Sequence, residues 1–322
     1  MRVAVILPVF NDWLSFEAIL DRLDRIAGEL RSNLSVFAVD DGSTAECSRA
    51  IFDLDSRPHI ASLEVIDLVA NFGSQRAIAI GLCEVAARPD FDTIIVMDAD
   101  GEDDPDDVPR LLRAATDNPG SVILAHRASR SEGAVFRTCY RVYKSLFHTL
   151  TGHRISFGHF CVLPAKAARR LTFKSNLWNS LPGTVLMSRL PYITVPTRRG
   201  RRLNGRSHMN FVGLVIFGLH TMTVFSDAVM VRLALMVAGA IAVLGISVAV
   251  TRLVSDQIVL GWASAIIVVL AALGVQVLFL LLNASLLVLH HRSLMQMIPA
   301  LQYKPFIRAI ERAARTAPAA LA

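Results

Sequence analysis

The C-terminal third of the chain contains two long apolar runs, and these constrain the fold more than any other feature. Residues 229–250 carry one charge, that of Arg232, and residues 262–289 carry none. Each run exceeds the roughly 20 residues that a helix needs to cross a bilayer. Two buried helices of a large soluble core are the alternative, but such helices seldom run this long without charge. The runs therefore predict a transmembrane hairpin at residues 228–290.

Charge is distributed unevenly along the chain. Residues 1–150 contain 15 Lys and Arg against 24 Asp and Glu, whereas residues 151–322 contain 18 against 3. Basic residues lie on both flanks of the predicted hairpin, so the N-terminal domain and both termini are expected in the cytoplasm. The apolar run at residues 3–10 lacks a following cleavage site, and we expect no secretory leader. A basic cluster beside a hairpin suits anionic lipid or phosphate, so no nucleic-acid partner is expected.

The first 200 residues alternate between strand-like and helix-like segments. Short β-branched runs alternate with amphipathic stretches, which is typical of an α/β protein whose mostly parallel sheet has helices on both faces. Beyond residue 150 the strand signals weaken. The predicted strands are residues 3–9, 34–39, 63–67, 93–97 and 121–125, and the predicted helices are residues 14–30, 74–87, 106–115 and 137–150.

These patterns divide the chain into four parts. Residues 210–226 are apolar and uncharged but too short to span a bilayer comfortably, so we interpret them as a helix in the membrane interface. The predicted parts are a folded domain at residues 1–209, the interfacial helix at 210–227, two membrane helices at 228–290 and a cytoplasmic tail at 291–322.

Two carboxylates, Asp98 and Asp100, directly follow the predicted strand at residues 93–97. Ligands bind at the carboxyl ends of strands in open α/β sheets. Two acids one residue apart repel each other unless a cation offsets them, and hard oxygen ligands favour Mg²⁺ or Mn²⁺, which in turn bind phosphates. Taken alone, the pattern favours a solvated acidic turn over a metal site.

Three more loops at predicted strand ends carry matching chemistry. Pro8 and Asn11 follow the first strand and offer a rigid turn and an amide, and Asp40 follows the second with a carboxylate that a uracil or ribose could donate to. Asn71 and Gly73 open a helix whose N-terminal amides favour an anion. Singly, each is an ordinary turn or helix cap. Together with the acid pair they predict a nucleotide-diphosphate site with a metal.

The order of these motifs resembles a known enzyme family. The chain is similar to inverting glycosyltransferases of family 2 with the GT-A fold, and more narrowly to bacterial polyprenyl-phosphate glycosyltransferases related to dolichol-phosphate mannose synthase. The motifs are Ile6-Leu7-Pro8-Val9-Phe10-Asn11, Asp40-Asp41-Gly42-Ser43, Asn71-Phe72-Gly73 with Gly81, Asp98-Ala99-Asp100-Gly101-Glu102-Asp103, Arg202-x-x-Gly205-x-Ser207 and Tyr303-Lys304-Pro305.

The resemblance implies roles for individual residues. Asp40 would contact the donor base or ribose, and Asp98 and Asp100 would hold Mg²⁺ or Mn²⁺ on the diphosphate. Glu102 replaces a glutamine usual in the family, and it would either add a metal ligand or point to solvent. The resemblance also implies four basic or hydroxyl side chains near the donor and acceptor phosphates, namely those of Arg127, Arg130, Arg202 and Ser207. Anchoring to anionic lipid is the alternative role for the arginines.

His159 departs from the family pattern, because relatives usually have an aspartate in the corresponding Gly-Asp-Phe motif. A lipid-phosphate acceptor is already anionic at neutral pH and needs positioning rather than deprotonation. His159 would then either bind that phosphate as an imidazolium or pack as a neutral side chain, and the sequence leaves both interpretations open.

The resemblance implies a hexosyl transfer from a UDP- or GDP-sugar to undecaprenyl phosphate at the bacterial inner membrane, with Asp100, Arg202 and His159 as catalytic residues. The membrane helices would also offer a surface for homo-oligomers. A membrane polysaccharide or glycolipid synthase of the same superfamily is one alternative, although no Gln-x-x-Arg-Trp signature is present. A catalytically silent membrane scaffold is another.

Overall fold

The structure is a computed structural model, and it describes residues 1–127, 134–153, 157–198, 200, 202–203, 221–254, 262–294, 297–313 and 315. The chain divides into two compact units. The first contains the described parts of residues 1–133, 156–224 and 297–322, and the second contains those of residues 134–155 and 225–296.

One eight-stranded sheet organises the first unit within the described residues. The strands are β1 (Val3–Val9), β2 (Leu34–Asp40), β3 (Ile60–Leu68), β4 (Thr93–Val96), β5 (Val122–Arg127), β6 (Phe157–Pro164), β7 (Tyr192–Thr197) and β8 (Ile307–Arg312). Their order in the sheet is β7-β5-β6-β4-β1-β2-β3-β8. The four adjacent strands β4, β1, β2 and β3 run parallel to one another.

The central strands form because they are apolar on both faces. All of β4 and nearly all of β1 are buried, as parallel strands covered by helices require. Helix α1 (Trp13–Leu30) buries apolar residues at helical spacing, among them Phe16, Leu20 and Leu23, and it ends at Arg31 in a left-handed conformation. The other α-helices of this unit within the described residues are α2 (Ser74–Ala86), α3 (Val108–Asp117), α5 (Ala165–Thr172), α6 (Leu181–Met187) and α9 (Pro299–Gln302).

The predicted α/β fold class is confirmed, but the sheet is more mixed than the sequence indicates. Strand β6 lies between β4 and β5 and runs antiparallel to both. Strands β6 and β7 belong to the region beyond residue 150, where the sequence shows only weak strand signals. Strand β7 lies at the edge of the sheet, has exposed positions and contains Pro196, so its local pattern is that of a poor strand.

The predicted tail at residues 291–322 also differs from the structure. Its residues Ile307–Arg312 form β8, which pairs antiparallel with β3 at the other edge of the sheet. Ile307 and Ile310 are three residues apart, a helical rather than a strand spacing, and therefore the local pattern does not indicate this strand. These residues belong to the sheet of the first unit, although the sequence assigns them to a separate tail.

The described part of the second unit contains α4 (Ala134–Thr151), α7 (Ser226–Val254) and α8 (Trp262–Leu294). Helices α7 and α8 each contain a window long and apolar enough to cross a membrane, and neither window is buried within the protein. They approach closely at Gly274, where an added Cβ would lie 3.2 Å from Ile241 Cδ1. Most of the predicted interfacial helix at residues 210–227 lies outside the described residues.

Arg232, the one charged residue of the first apolar run, forms hydrogen bonds within this unit. Its guanidinium donates to the carbonyl oxygens of Thr149 at 3.0 Å and His148 at 3.4 Å, at the C-terminal end of α4. Carbonyl groups at a helix C-terminus lack intrahelical partners and favour a cation. Arg232 therefore stabilises the end of α4.

Candidate active site

The acidic motif forms a tight turn at the end of β4. The backbone N–H of Asp98 donates to Asp103 Oδ2 at 3.0 Å, and the backbone N–H of Glu102 donates to Asp100 Oδ1 at 2.8 Å. Gly101 has φ +87°, a conformation that L-residues with a side chain rarely adopt. These bonds hold the side chains of the motif close together at the carboxyl edge of the parallel strands.

His159 reaches this turn because β6 runs antiparallel to β4. The register pairs Val96 with Cys161. Because the strands are antiparallel, Asp98, two residues after Val96, is level with His159, two residues before Cys161. Nε2 of His159 lies 2.5 Å from Asp98 Oδ1, and its side chain is 12% exposed. The histidine that departs from the family pattern is therefore in direct contact with the first aspartate of the acidic motif.

Gln75 determines which nitrogen of His159 carries the proton. The backbone N–H of Leu181 can only donate, and it lies 3.3 Å from Gln75 Oε1. The amide nitrogen of Gln75 consequently faces His159 Nδ1, at 3.5 Å, and donates to it. A neutral imidazole that accepts at Nδ1 carries its proton on Nε2, so this proton points at Asp98.

Three side chains could hold a divalent cation together. One carboxylate oxygen each of Asp98 and Asp103 and a ring nitrogen of His159 lie within 4.8 Å of one another. Carboxylate oxygens suit Mg²⁺ and Mn²⁺, and an imidazole nitrogen suits transition metals once its proton is released. The predicted ligand set is Asp98, Asp100 and Glu102. Among the described residues, Asp98 is the residue that the two sets share.

Arg202 connects the acidic motif to the loop after β1. Its Nη1 lies 3.3 Å from Asp100 Oδ2, and its Nη2 lies 3.0 Å from Asp12 Oδ2. The backbone supports this arrangement, because the N–H of Leu203 donates to the carbonyl oxygen of Asp100 and that of Gly200 donates to the carbonyl oxygen of Glu102. The structure thus brings Arg202 to the predicted metal site.

Burial governs the ionisation of Asp100. Desolvation first, and the negative charge of Asp98 second, raise the pKa of Asp100 to about 7. The backbone N–H of Glu102 and the charge of Arg202 oppose that rise in part. A carboxyl whose charge is disfavoured in this way gains from a nearby cation, which lowers the pKa of acids beside it.

The loops that follow β1 and β2 are bonded to each other. Asn11 Oδ1 accepts from the backbone N–H groups of Thr44 at 2.8 Å and Ala45 at 2.9 Å, while Asp40 Oδ1 accepts from the N–H of Ser43 at 2.9 Å. Pro8 lies inside β1 opposite Val39, so the predicted proline turn is wrong. The side-chain oxygens of Asn11 and Asp40 thus stabilise turns at the sheet edge.

Asp41 holds the loop that follows β3. Its buried carboxylate accepts from the backbone N–H groups of Phe72 at 2.7 Å and Gly73 at 2.9 Å. Burial raises the pKa of Asp41, and the two N–H groups oppose that rise. At Gly42 an added Cβ would lie 2.7 Å from the backbone nitrogen of Asn71, so only glycine permits this approach of the two loops.

The sequence also matches the profile of a known protein family. The sequence profile of Glycosyl transferase family 2 matches residues 4–174. The chain belongs to this family. The predicted enzyme class is therefore confirmed, and the protein is a glycosyltransferase.

Several relatives similar to this family 2 glycosyltransferase are named undecaprenyl-phosphate 4-deoxy-4-formamido-L-arabinose transferases. The protein of Photorhabdus laumondii is 25% identical over 264 residues, which cover 79% of this chain and 76% of the relative. That of Serratia proteamaculans is 28% identical over 165 residues, which cover 51% of this chain and 48% of the relative. The chain thus spans about half the length of the second relative.

A solved structure shares the fold of this glycosyltransferase. Glucosyl-3-phosphoglycerate synthase from Mycobacterium tuberculosis, in complex with Mn²⁺, UDP-glucose and phosphoglyceric acid, superposes with a TM-score of 0.50 at 16% identity. The match covers 71% of this chain and 79% of the synthase. Together with the family match, this confirms the predicted GT-A fold.

The side chains of three predicted phosphate-binding residues of the glycosyltransferase lie outside the described part of the structure. Arg127 is the last residue of β5, and only its backbone is described. Arg130 and Ser207 lie outside the described residues. Their predicted roles at the donor and acceptor phosphates remain predictions.

Sequence reasoning missed four polar residues that organise the site. Asp12, Asp41, Gln75 and Asp103 each contact a residue of the predicted site, yet the sequence predicts no role for them. All four lie within or next to the motifs at the strand ends, and that proximity is the signal the sequence offers. The partners of Asp12 and Gln75, which are Arg202 and His159, are distant along the chain, so the sequence does not indicate these contacts.

Proposed function

We propose that this glycosyltransferase moves a hexosyl group from a nucleotide-diphosphate sugar to a polyprenyl phosphate at the cytoplasmic face of the inner membrane. The observation that carries the proposal is the similarity to an undecaprenyl-phosphate sugar transferase over 79% of the chain. The acidic cluster at the edge of the sheet, faced by Arg202, supports it, because such a cluster suits a cation bound to a diphosphate. The two apolar helices would bring the site to a lipid substrate.

In the proposed reaction, an oxygen of the acceptor phosphate attacks the anomeric carbon while the bond from that carbon to the diphosphate breaks. One displacement inverts the anomeric configuration and releases a nucleoside diphosphate. The acceptor phosphate is largely anionic near neutral pH, so the protein needs to orient it rather than deprotonate it. A divalent cation, when bound, supplies positive charge to the departing diphosphate.

We assign cation binding and phosphate binding to different side chains among the described residues. Asp98, with Asp103 or Asp100, would bind the cation, and His159 would orient Asp98 through its Nε2 proton. Arg202 presents a planar guanidinium that already binds the carboxylates of Asp12 and Asp100. The same fork binds phosphate oxygens in pairs, which suits it to a substrate phosphate.

The experiment that tests the proposal is a transfer assay with purified full-length protein. Labelled UDP- and GDP-sugars are each incubated with undecaprenyl phosphate and Mn²⁺ or Mg²⁺, and we expect a labelled product in the organic phase. A labelled polymer without lipid-phosphate dependence would instead support the polysaccharide synthase. Absence of product with every donor, from protein that binds no nucleotide, would support the silent scaffold.

We predict that His159→Ala lowers the affinity for Mn²⁺ by about tenfold or more, because side chains that orient metal ligands typically contribute that much. His159→Gln should recover part of the affinity, since its amide N–H can still donate to Asp98. The measurement is Mn²⁺ binding by electron paramagnetic resonance. If His159 were itself a ligand, Gln would recover nothing, and unchanged binding in the alanine variant would rule out both roles.

We also predict that both termini face the cytoplasm and that the connector between the apolar helices does not. The prediction follows from the basic flanks of the hairpin. Reporter fusions at residue 322 and within residues 251–261 should therefore report opposite sides of the membrane. A periplasmic C-terminus would contradict the hairpin.

A further inference from the structure

The C-terminal arm, which we define as residues 297–313, is built into the sheet next to the loop at residues 69–73. Strand β8 pairs with β3 along its length, and the backbone N–H of Val69, just beyond β3, donates to the carbonyl oxygen of Phe306 at 3.0 Å. The arm therefore continues past the end of the sheet and follows the chain into the loop.

Phe306 packs directly on that loop. Its ring meets the ring of Phe72 edge to face, with centroids 5.1 Å apart at an interplanar angle of 89°. The ring of Trp178 lies 5.5 Å from Phe306, and Trp178 Nε1 donates to the carbonyl oxygen of Met297 at the start of the arm. Phe306 thus lies against two aromatic rings, one of which belongs to the loop.

Asp41 holds the backbone of the same loop. Its carboxylate accepts the N–H groups of Phe72 and Gly73, and Gly42 lets the backbone of the β2 loop approach closely. The conformation at Phe72 and Gly73 therefore depends on polar contacts to the backbone and on an aromatic contact to the Phe72 ring.

The motif Tyr303-Lys304-Pro305, which the proposed reaction does not use, anchors this arrangement. The hydroxyl of Tyr303 donates to Glu84 Oε2 at 3.0 Å, and the ring is 4% exposed. Glu84 belongs to α2, the helix that begins at Ser74 directly after the loop. Tyr303 and Phe306 consequently contact both the loop and the helix that the loop opens.

We propose that Phe306 is a positioning residue of the donor site, which holds Asn71, Phe72 and Gly73 in the conformation that binds the nucleoside diphosphate. The inference rests on the proposed function, because it takes the loop as donor-binding. It makes the chain segment after the second apolar helix a structural part of the donor site rather than a tail.

The test measures binding of UDP and of GDP, each with Mn²⁺, to full-length protein and to Phe306→Ala. An edge-to-face aromatic pair contributes enough that the dissociation constant for the preferred nucleotide should rise about two- to twelvefold. Phe72→Ala should give a similar rise, and the double variant should add little to either change. The acceptor KM should remain close to that of the parent.

Leu301→Ala is the matched control, since Leu301 lies on the same arm and is 70% exposed. It should leave nucleotide binding unchanged. Hydrogen exchange at the Phe72 and Gly73 amides should become faster in Phe306→Ala but not in the control. If Phe306→Ala does not fold, Phe306→Leu, which keeps apolar bulk without the ring, decides between the outcomes by the same two measurements.

Unchanged nucleotide affinity and exchange in a folded Phe306 variant would overturn the positioning role. An equal effect of Leu301→Ala would overturn it too, because loosening the arm would then be sufficient. Faster exchange in Phe306→Ala, combined with a parent protein that binds neither nucleotide, would contradict the proposed function while supporting the contact between the arm and the loop.

Discussion

Replacing Asp100 by Asn is expected to lower transfer by about a thousandfold or more, because interactions that offset charge on a leaving diphosphate contribute several kcal/mol. The substitution keeps the shape of the side chain but removes a negative charge from the proposed cation site and from the contact with Arg202. The measurement is the initial rate of transfer to undecaprenyl phosphate over a range of Mn²⁺ concentrations.

The control for this prediction is Asp106→Asn, in the same acidic loop. Asp106 is half exposed and pairs with Arg22 and Arg25 away from the described cluster, so its loss should leave transfer nearly unchanged. Transfer by Asp100→Asn at the parental rate, or in the presence of excess EDTA, would contradict the metal assignment.

Asp100→Asn should not unfold the protein. The pKa of Asp100 is raised to about 7, so the protonated form stabilises the folded state at acid pH and this stabilisation is lost as pH rises through 7. An amide has no such dependence. Without metal, the variant should therefore melt at a temperature no lower than the parent at pH 8, and its melting temperature should change less between pH 6 and pH 8.

Replacing Arg202 by Ala is expected to raise the KM for polyprenyl phosphate about ten- to a hundredfold, since a hydrogen bond to a charged group contributes roughly 1.5–3 kcal/mol. The guanidinium bridges Asp12 and Asp100, and its loss also leaves these two partly buried carboxylates without that cation. Lys at the same position should recover only part of the affinity, because it lacks the planar fork.

Arg198→Ala separates substrate binding from anchoring to lipid. Arg198 belongs to the same basic segment and is exposed, so a general role in anchoring would make the two alanine variants behave alike. We expect the Arg198 variant to keep the parental KM. Normal use of the acceptor by Arg202→Ala would assign the segment to anchoring alone.

The sequence by itself determined those features that depend on local periodicity and strand ends. Buried β-branched runs predicted β1 and β4, and the position of Asp98 and Asp100 followed from the end of β4. The two apolar helices followed from the length of uncharged sequence. Such features need only neighbouring residues, because burial and helix formation impose a period on the chain itself.

The tertiary structure alone decided the partners that meet across the sheet. His159 meets Asp98 across 61 positions, and Arg202 meets Asp12 across 190, since antiparallel β6 and the segment that contains Arg202 return to the same edge. Likewise β8 joins β3 from the far end of the chain. Pairing and register between distant strands arise from backbone hydrogen bonds that nearly every residue can make. No local sequence pattern therefore indicates them.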